Sequence, residues 1–176
     1  QSGCDSVLAR MNRKYDSERY YESVRLLNEA YETPGITTDL IVGFPGETEE
    51  EFQQTLAFIR RCAFSAMHIF PYSRRPGTPA DGMPGQILNS VKEERAHRAQ
   101  QAALEMEAAY LDRWVGRTVP VLFEEERDGL WRGHTTRYSE VAAPSGENLH
   151  NQLRQVYITG RAGNILQGEL CEGQEK

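Results

Sequence analysis

Apolar residues in roughly the first two-thirds of the chain fall into short runs and helical stripes, while those of the last third alternate with polar ones. The run from Ile36 to Val42 is short and rich in β-branched residues, which predicts a strand covered on both faces. Gly43 and Gly46 bracket Phe44-Pro45 in a tight turn. Thr48 followed by Glu51 is a capping box, opening a helix to about Cys62 that buries Phe52, Leu56, Ile59 and Ala63. Ala66 to Tyr72 reads as a second strand, so the unit is strand–helix–strand with parallel strands and a right-handed crossover. Upstream, Asp5 or Ser6 caps a short helix through Val7, Leu8 and Met11 that closes near Arg13-Lys14. Asp16 or Ser17 caps another, with a stripe of Tyr20, Val24, Leu27 and Tyr31, ended by Pro34-Gly35. The Pro/Gly-rich stretch Ser73 to Gly85 is predicted to be a loop. A long helix follows from Gln86 to Trp114, with Ala96, Ala99, Ala103, Met106 and Tyr110 on its apolar face.

The pattern changes at Val115-Gly116. Val119, Val121 and Phe123 share one face of a strand that gives way to Glu-rich residues and a turn at Asp128-Gly129. Leu130 to Thr136, Tyr138 to Ala143, Gln155 to Arg161 and Ile165 to Leu170 read as further short strands, the last pair joined by a hairpin at Ala162-Gly163-Asn164. Five short strands in such a span predict a small β-barrel or open sandwich of the nucleic-acid-binding sort. The chain is therefore divided into residues 1–114, α/β, and residues 115–176, all β.

The length of 176 residues allows one domain or two small ones, and 39% hydrophobic residues suffice for a core. A net charge of −6 argues against attachment to nucleic acid by bulk charge, though not against a local basic face. No apolar stretch is long enough to span a membrane, and no signal-peptide pattern opens the chain. Cys4, Cys62 and Cys171 form neither a disulfide framework nor a metal-ligand spacing, so a reducing cytoplasm is the simplest setting and no metal ligand is assigned.

A strand that delivers a Gly-rich turn to a helix N-terminus is where α/β proteins place ligands. Asp39 interrupts the apolar run on the face of Thr37, Ile41 and Gly43. A buried carboxylate needs partners. Asp39 is either bonded to backbone or a nearby Arg, or it lines a ligand cavity and touches a hydroxyl or amine. His68, without a Cys/His cluster, reads as a structural histidine, and Phe70 as a core residue.

Three segments, QSGCDSVLARMNRKY, TTDLIVGFPGETEEEF and HIFPYSRRPGTPA, occur in that order and spacing, followed by GHTTRY and a final ILQGEL. Together they closely resemble the later half of the radical S-adenosylmethionine (SAM) domain of methylthiotransferases, followed by their TRAM domain. The resemblance covers essentially the whole chain, and Cys4 after Gln1-Ser2-Gly3, together with HIFPYSRRPGTPA, tilts it toward the branch that acts on threonylcarbamoyl-adenosine beside the tRNA anticodon, ahead of the isopentenyl-adenosine branch. The fold it implies is a partial open (β/α) barrel of the radical SAM type followed by a small OB-like barrel. The chemistry it implies is reductive cleavage of SAM at a four-iron cluster, hydrogen abstraction from C2 of the adenine and insertion of a methylthio group with the help of a second cluster.

By this resemblance Ser2, Gly3, Arg13, Asp39, Gly43, Phe44, Pro45, Glu47, Tyr72 and Ser73 face SAM, Arg13 through the methionyl carboxylate. Arg74 and Arg75, on the Pro/Gly loop beside Thr78, meet RNA phosphate or the substrate's carboxylate. In the β part, Arg132, His134, Arg137, Tyr138, Tyr157 and Arg161 combine stacking rings with positive charge, as tRNA binding requires. Each has a plainer alternative: a surface Arg, a structural turn, a helix cap for Glu47 or a solvated loop.

The CxxxCxxC motif that would hold the SAM-cleaving cluster is absent from the sequence. The chain therefore reads as the C-terminal portion of a larger enzyme, inactive alone, ligating neither of the two 4Fe-4S clusters, with no catalytic residue assigned to it. Missing N-terminal domains would be its partners, with self-association through an orphaned edge of the Ile36–Val42 strand. A non-enzymatic RNA-binding module is the rival reading; a small nucleotide-binding α/β enzyme fits worse, because two parallel strands are too few.

Overall fold

The computed structural model describes residues 1–171. Two compact units divide the chain between Met106 and Glu107. In the first, α1 (Asp5–Arg10), α2 (Ser17–Ala30), β1 (Thr37–Val42), α3 (Glu49–Cys62), β2 (Ala66–Pro71) and most of α4 (Asn89–Asp112) follow in order. β1 and β2 pair in parallel, Thr37 opposite Ala66 and Val42 opposite Pro71, with α3 as the crossover. Both halves of the α3 capping box form: Thr48 Oγ1 accepts from Glu51 N at 3.2 Å, and Glu51 Oε2 accepts from Thr48 N at 3.0 Å. Leu40, Val42, Phe52, Leu56, Ile59, Phe64, Ala99 and Met106 form the core.

Several expectations for this unit are corrected. Only one face of β1 is covered: Leu40 and Val42 are buried, while Thr37 and Asp39 are exposed and Ile41 is half-buried. In parallel register Asp39 lies opposite His68 and Ile41 opposite Phe70. Asp39 is thus not a buried carboxylate, His68 is exposed, and Phe70 is 50% exposed rather than in the core. Ala63 is exposed because it takes the left-handed cap of α3; Thr55 and Cys62 fill the buried face instead. On α2 only Val24 of the expected stripe is fully buried, and Leu27 and Tyr31 are exposed. Cys4, not Asp5 or Ser6, stands at the cap of α1, and the Asp5 carboxylate accepts from Ser17 N at 2.7 Å.

The second unit is a closed five-stranded barrel of β3 (Thr118–Arg127), β4 (Leu130–Thr135), β5 (Glu140–Ala143), β6 (Gln152–Ala162) and β7 (Ile165–Leu170), in the order β3-β4-β5-β7-β6. All neighbours are antiparallel except β5 and β7, whose parallel seam comprises just Val141–Leu166 and Ala142–Gln167. Val119, Val121 and Phe123 point inward as the alternation requires, joined by Trp131, Val141, Val156, Ile158 and Leu166. Trp114 at the end of the helical segment belongs to this core. β5 starts at Glu140 rather than Tyr138, because Thr135 to Ser139 fold into a turn: Thr135 O accepts from Tyr138 N at 3.0 Å, and Thr135 Oγ1 from Ser139 N at 3.2 Å. Among the described residues no helix is long and apolar enough to cross a membrane.

Candidate functional site

A cleft of about 540 Å³ opens on the uncovered face of β1 and β2, toward their C-terminal ends. Asp39, Ile41, Phe70, Tyr72, Ser73 and Arg75 line it, with Gln1 and Thr78 at its margins. The alternation that buries Leu40 and Val42 is what presents Asp39 and Ile41 to the cleft. Chain reversal after each strand then brings Tyr72 and Ser73 beside the turn after β1. Of the residues expected at a cofactor, the structure gathers Asp39, Tyr72 and Ser73 here.

The turn that follows β1 is held rigidly. Glu47 N donates to Phe44 O at 2.9 Å, with Pro45 and Gly46 (φ 75°) between them, the arrangement of a type II turn. Gly46 N donates to Gly85 O at 2.8 Å, which fastens the Pro/Gly loop to the turn. Gly43 has φ 71°, and a Cβ there would stand 2.5 Å from Lys92 Cγ. Glycine therefore answers both a left-handed backbone and a close approach. Phe44 packs edge-on against Tyr72 with ring centroids 5.2 Å apart, and Lys92 Nζ lies 5.4 Å from the centroid of that tyrosine. The Tyr72 hydroxyl is buried without a hydrogen-bond partner among the described residues.

Glu47, expected among the cofactor contacts, turns inward. Its carboxylate accepts from Gly43 N at 2.6 Å and from Arg95 Nη1 at 2.9 Å, and its carbonyl accepts from the same Nη1 at 3.0 Å. Burial pushes its carboxyl above the usual range, opposed by the Gly43 N–H and the Arg95 charge. Ser2 and Gly3 are also spent internally: Ser2 Oγ lies 3.2 Å from Thr55 Oγ1, which accepts from Gly3 N at 3.3 Å. Arg13 lines a separate surface recess with Asp5, Lys14, Tyr15 and Arg19. The recess walls do not include Asp39.

Lys92 and Arg95 are the residues that sequence reasoning missed. Both are charged, yet only 6% and 5% exposed. The signal was present, since Lys92, Arg95, Ala99, Ala102 and Met106 follow the three–four spacing of one helix face.

The expected RNA-contacting residues scatter. Arg74 turns back onto Asp81 at 2.9 Å, while Arg75 reaches the cleft. On the barrel, Arg132 pairs with Glu140 at 3.2 Å, His134 with Glu124 at 2.8 Å and Arg161 with Asp112 at 2.6 Å. Arg137 lies 5.0 Å over the Trp114 ring, Tyr138 is 89% exposed, and Tyr157 is partly exposed on β6.

The radical SAM superfamily model matches residues 1–59. The chain is 37% identical over 185 residues to the threonylcarbamoyladenosine tRNA methylthiotransferase MtaB of Bacillus subtilis, covering 98% of this chain and 41% of that protein. It is 39% identical over 173 residues to the tRNA-2-methylthio-N(6)-dimethylallyladenosine synthase of Bacillus pumilus, covering 97% and 34%. With the synthase of the same name from Sorangium cellulosum it shares 41% identity over 186 residues, covering 98% and 37%. The chain thus spans well under half the length of these relatives, and over that portion it is similar to the radical SAM methylthiotransferases.

Proposed function

We propose that this chain is the cofactor-cradling and RNA-gripping portion of a tRNA methylthiotransferase that adds a methylthio group at C2 of a modified adenosine beside the anticodon. What carries the reading is the cleft at the C-terminal ends of β1 and β2 beside the Gly43–Glu47 turn, the position at which α/β folds take ligands. SAM suits that cleft. Asp39 and Ser73 offer an acceptor and a hydroxyl to its polar groups, and Ile41 and Phe70 form an apolar wall. Once bound and cleaved, SAM supplies the radical chemistry; this chain's residues orient it and keep water out.

The described residues do not fit an iron–sulfur cluster. No group of three or more His, Cys, Asp or Glu among them stands where a metal ion would be held. Thiolates for the clusters of such an enzyme would come from outside the described residues, as would the ability to turn over. The barrel, with its strand order β3-β4-β5-β7-β6, is read as an OB-like TRAM domain that holds tRNA. The threonylcarbamoyl derivative is favoured as substrate over the dimethylallyl (isopentenyl) one, on Cys4 and the HIFPYSRRPGTPA segment.

The test is expression of the whole protein that carries this chain in cells lacking their own methylthiotransferases, with mass spectrometry of tRNA nucleosides. The 2-methylthio form of threonylcarbamoyl-adenosine is expected. The dimethylallyl analogue would reverse the choice of substrate, and neither product would overturn the proposal. Substituting Asp39 with Ala in that protein is expected to reduce product formation by raising the SAM requirement.

A further inference from the structure

Tyr138 is the most exposed large side chain noted in the barrel, 89% open to solvent, and its backbone is left-handed at φ 60°. An aromatic residue in that conformation is disfavoured, and Gly or Asn would fit the turn better. Among the described residues little compensates, since the ring is almost wholly open to solvent. The turn itself is firmly built: Thr135 accepts from Tyr138 N through its carbonyl, and from Arg137 N and Ser139 N through its hydroxyl at 3.3 and 3.2 Å. The ring is thus held out on a stiff support. Beside it the Arg137 guanidinium lies 5.0 Å from the Trp114 ring centroid, and the Arg117 guanidinium lies 5.6 Å from the same ring. One indole therefore carries two cations.

We propose that Tyr138 is a stacking platform for one unpaired RNA base, with Arg137 and Arg117, seated on Trp114, meeting the flanking phosphates. This deepens the proposed function and rests on its RNA reading. A strained, exposed ring marks a functional position when the fold gives no other reason for it. Every base has a π-face, so such a ring grips single-stranded RNA without reading sequence. The two arginines supply charge and planar donors at the same spot.

The test is fluorescence anisotropy of the 176-residue chain with a labelled RNA hairpin bearing an unpaired loop, and with a blunt RNA duplex as control. Tyr138→Asn removes the ring but suits the left-handed backbone, so it should preserve or raise the melting temperature. It is expected to weaken hairpin binding about tenfold and to leave duplex binding unchanged. Tyr138→Trp should bind as the parent does. Arg137→Ala should flatten the salt dependence of hairpin binding by about 0.7 in log–log slope. Parent-like hairpin binding by Tyr138→Asn, or an equal loss for the duplex, overturns the platform alone. If the parent chain binds neither RNA, the RNA reading falls and the platform with it.

Discussion

In the α/β unit, Glu47 and Arg95 meet in the interior with side chains 1% and 5% exposed, whereas Arg154 and Arg161 of the second unit meet Glu147 and Asp112 at the surface. The residue types are the same, but the consequences differ. A buried pair fixes geometry because neither member has water to fall back on. A surface pair contributes little and exchanges readily for another anion. Charge in the first unit thus shapes the turn beside the cleft, and charge in the second remains available for a polyanion. Stiffness at the turn beside the cleft and adaptability on the barrel surface follow from where each unit puts its ions.

The sharpest way to break this contrast is to remove a cation from each unit. Arg95→Ala leaves the Glu47 carboxylate buried without its partner, at an expected cost of about 3–5 kcal/mol. Arg161→Ala is expected to leave the urea midpoint nearly unchanged. Comparable midpoints for the two variants would dissolve the distinction. A double variant, Arg95→Met with Glu47→Gln, should recover much of the loss, since no unpaired charge then remains inside.

A smaller effect separates two turns. Gly43→Ala should cost about 1–2 kcal/mol for its left-handed backbone, and displacement of Lys92, 2.5 Å from the added Cβ, adds to it. Gly129→Ala carries only the backbone part, because nothing lies within 4 Å of its added Cβ. Thermal melts that rank Gly129→Ala as the worse variant would remove the close packing against Lys92 from the account.

Acid titration sharpens the comparison within the first unit. The Arg10 guanidinium, with Ser6 and the Thr48 N–H, holds the Glu51 carboxyl down to about 2, below its usual 4.5. A lowered carboxyl stabilises the fold above the unfolded value, and that contribution disappears as pH falls from 4.5 toward 2. Glu47 runs the other way. Its raised carboxyl favours the fold fully below 4.5, and this contribution fades as pH rises through the folded value. Glu51→Gln should therefore flatten the fall in stability on acidification, and Glu47→Gln should not. Parallel curves for parent and Glu51→Gln would discard the Arg10–Glu51 tie.

The mildest probe is thiol labelling. Burial pushes the Cys62 thiol up to about 11, and Cys4 is buried, whereas Cys171 is exposed. Maleimide followed by mass spectrometry should mark Cys171 first and Cys62 last. Early labelling of Cys62 would mean that the α3 face opens readily.

The capping box at Thr48 and Glu51 and the inward triplet Val119, Val121 and Phe123 were legible in the sequence, because each depends only on local spacing. Asp39 stands out of place in an apolar run, but only the fold reveals its surroundings. A run with two Thr and an Asp reads as buried on both faces only if the polar residues are discounted, and in the fold they mark the open face. Phe70 went astray for the same reason, since its exposure depends on β2 sharing that face with β1. Lys92 and Arg95 were passed over because charge on a helix ordinarily signals solvent. The burial of Arg95 rests on the Glu47 carboxylate and that of Lys92 on the Tyr72 ring, both distant in the chain, which no local pattern reveals. Tyr has strand propensity, but the Thr135 carbonyl, which accepts from Tyr138 N, draws Tyr138 into a turn instead.

The barrel closes through two paired positions between β5 and β7, while its other neighbours share four to six. A cylinder with one thin weld parts along that line first. Deuterium uptake at the amides of Val141 to Ala143 should outpace that along β3 and β6, and ligands gripping the rim there would act as a clasp on the whole hoop.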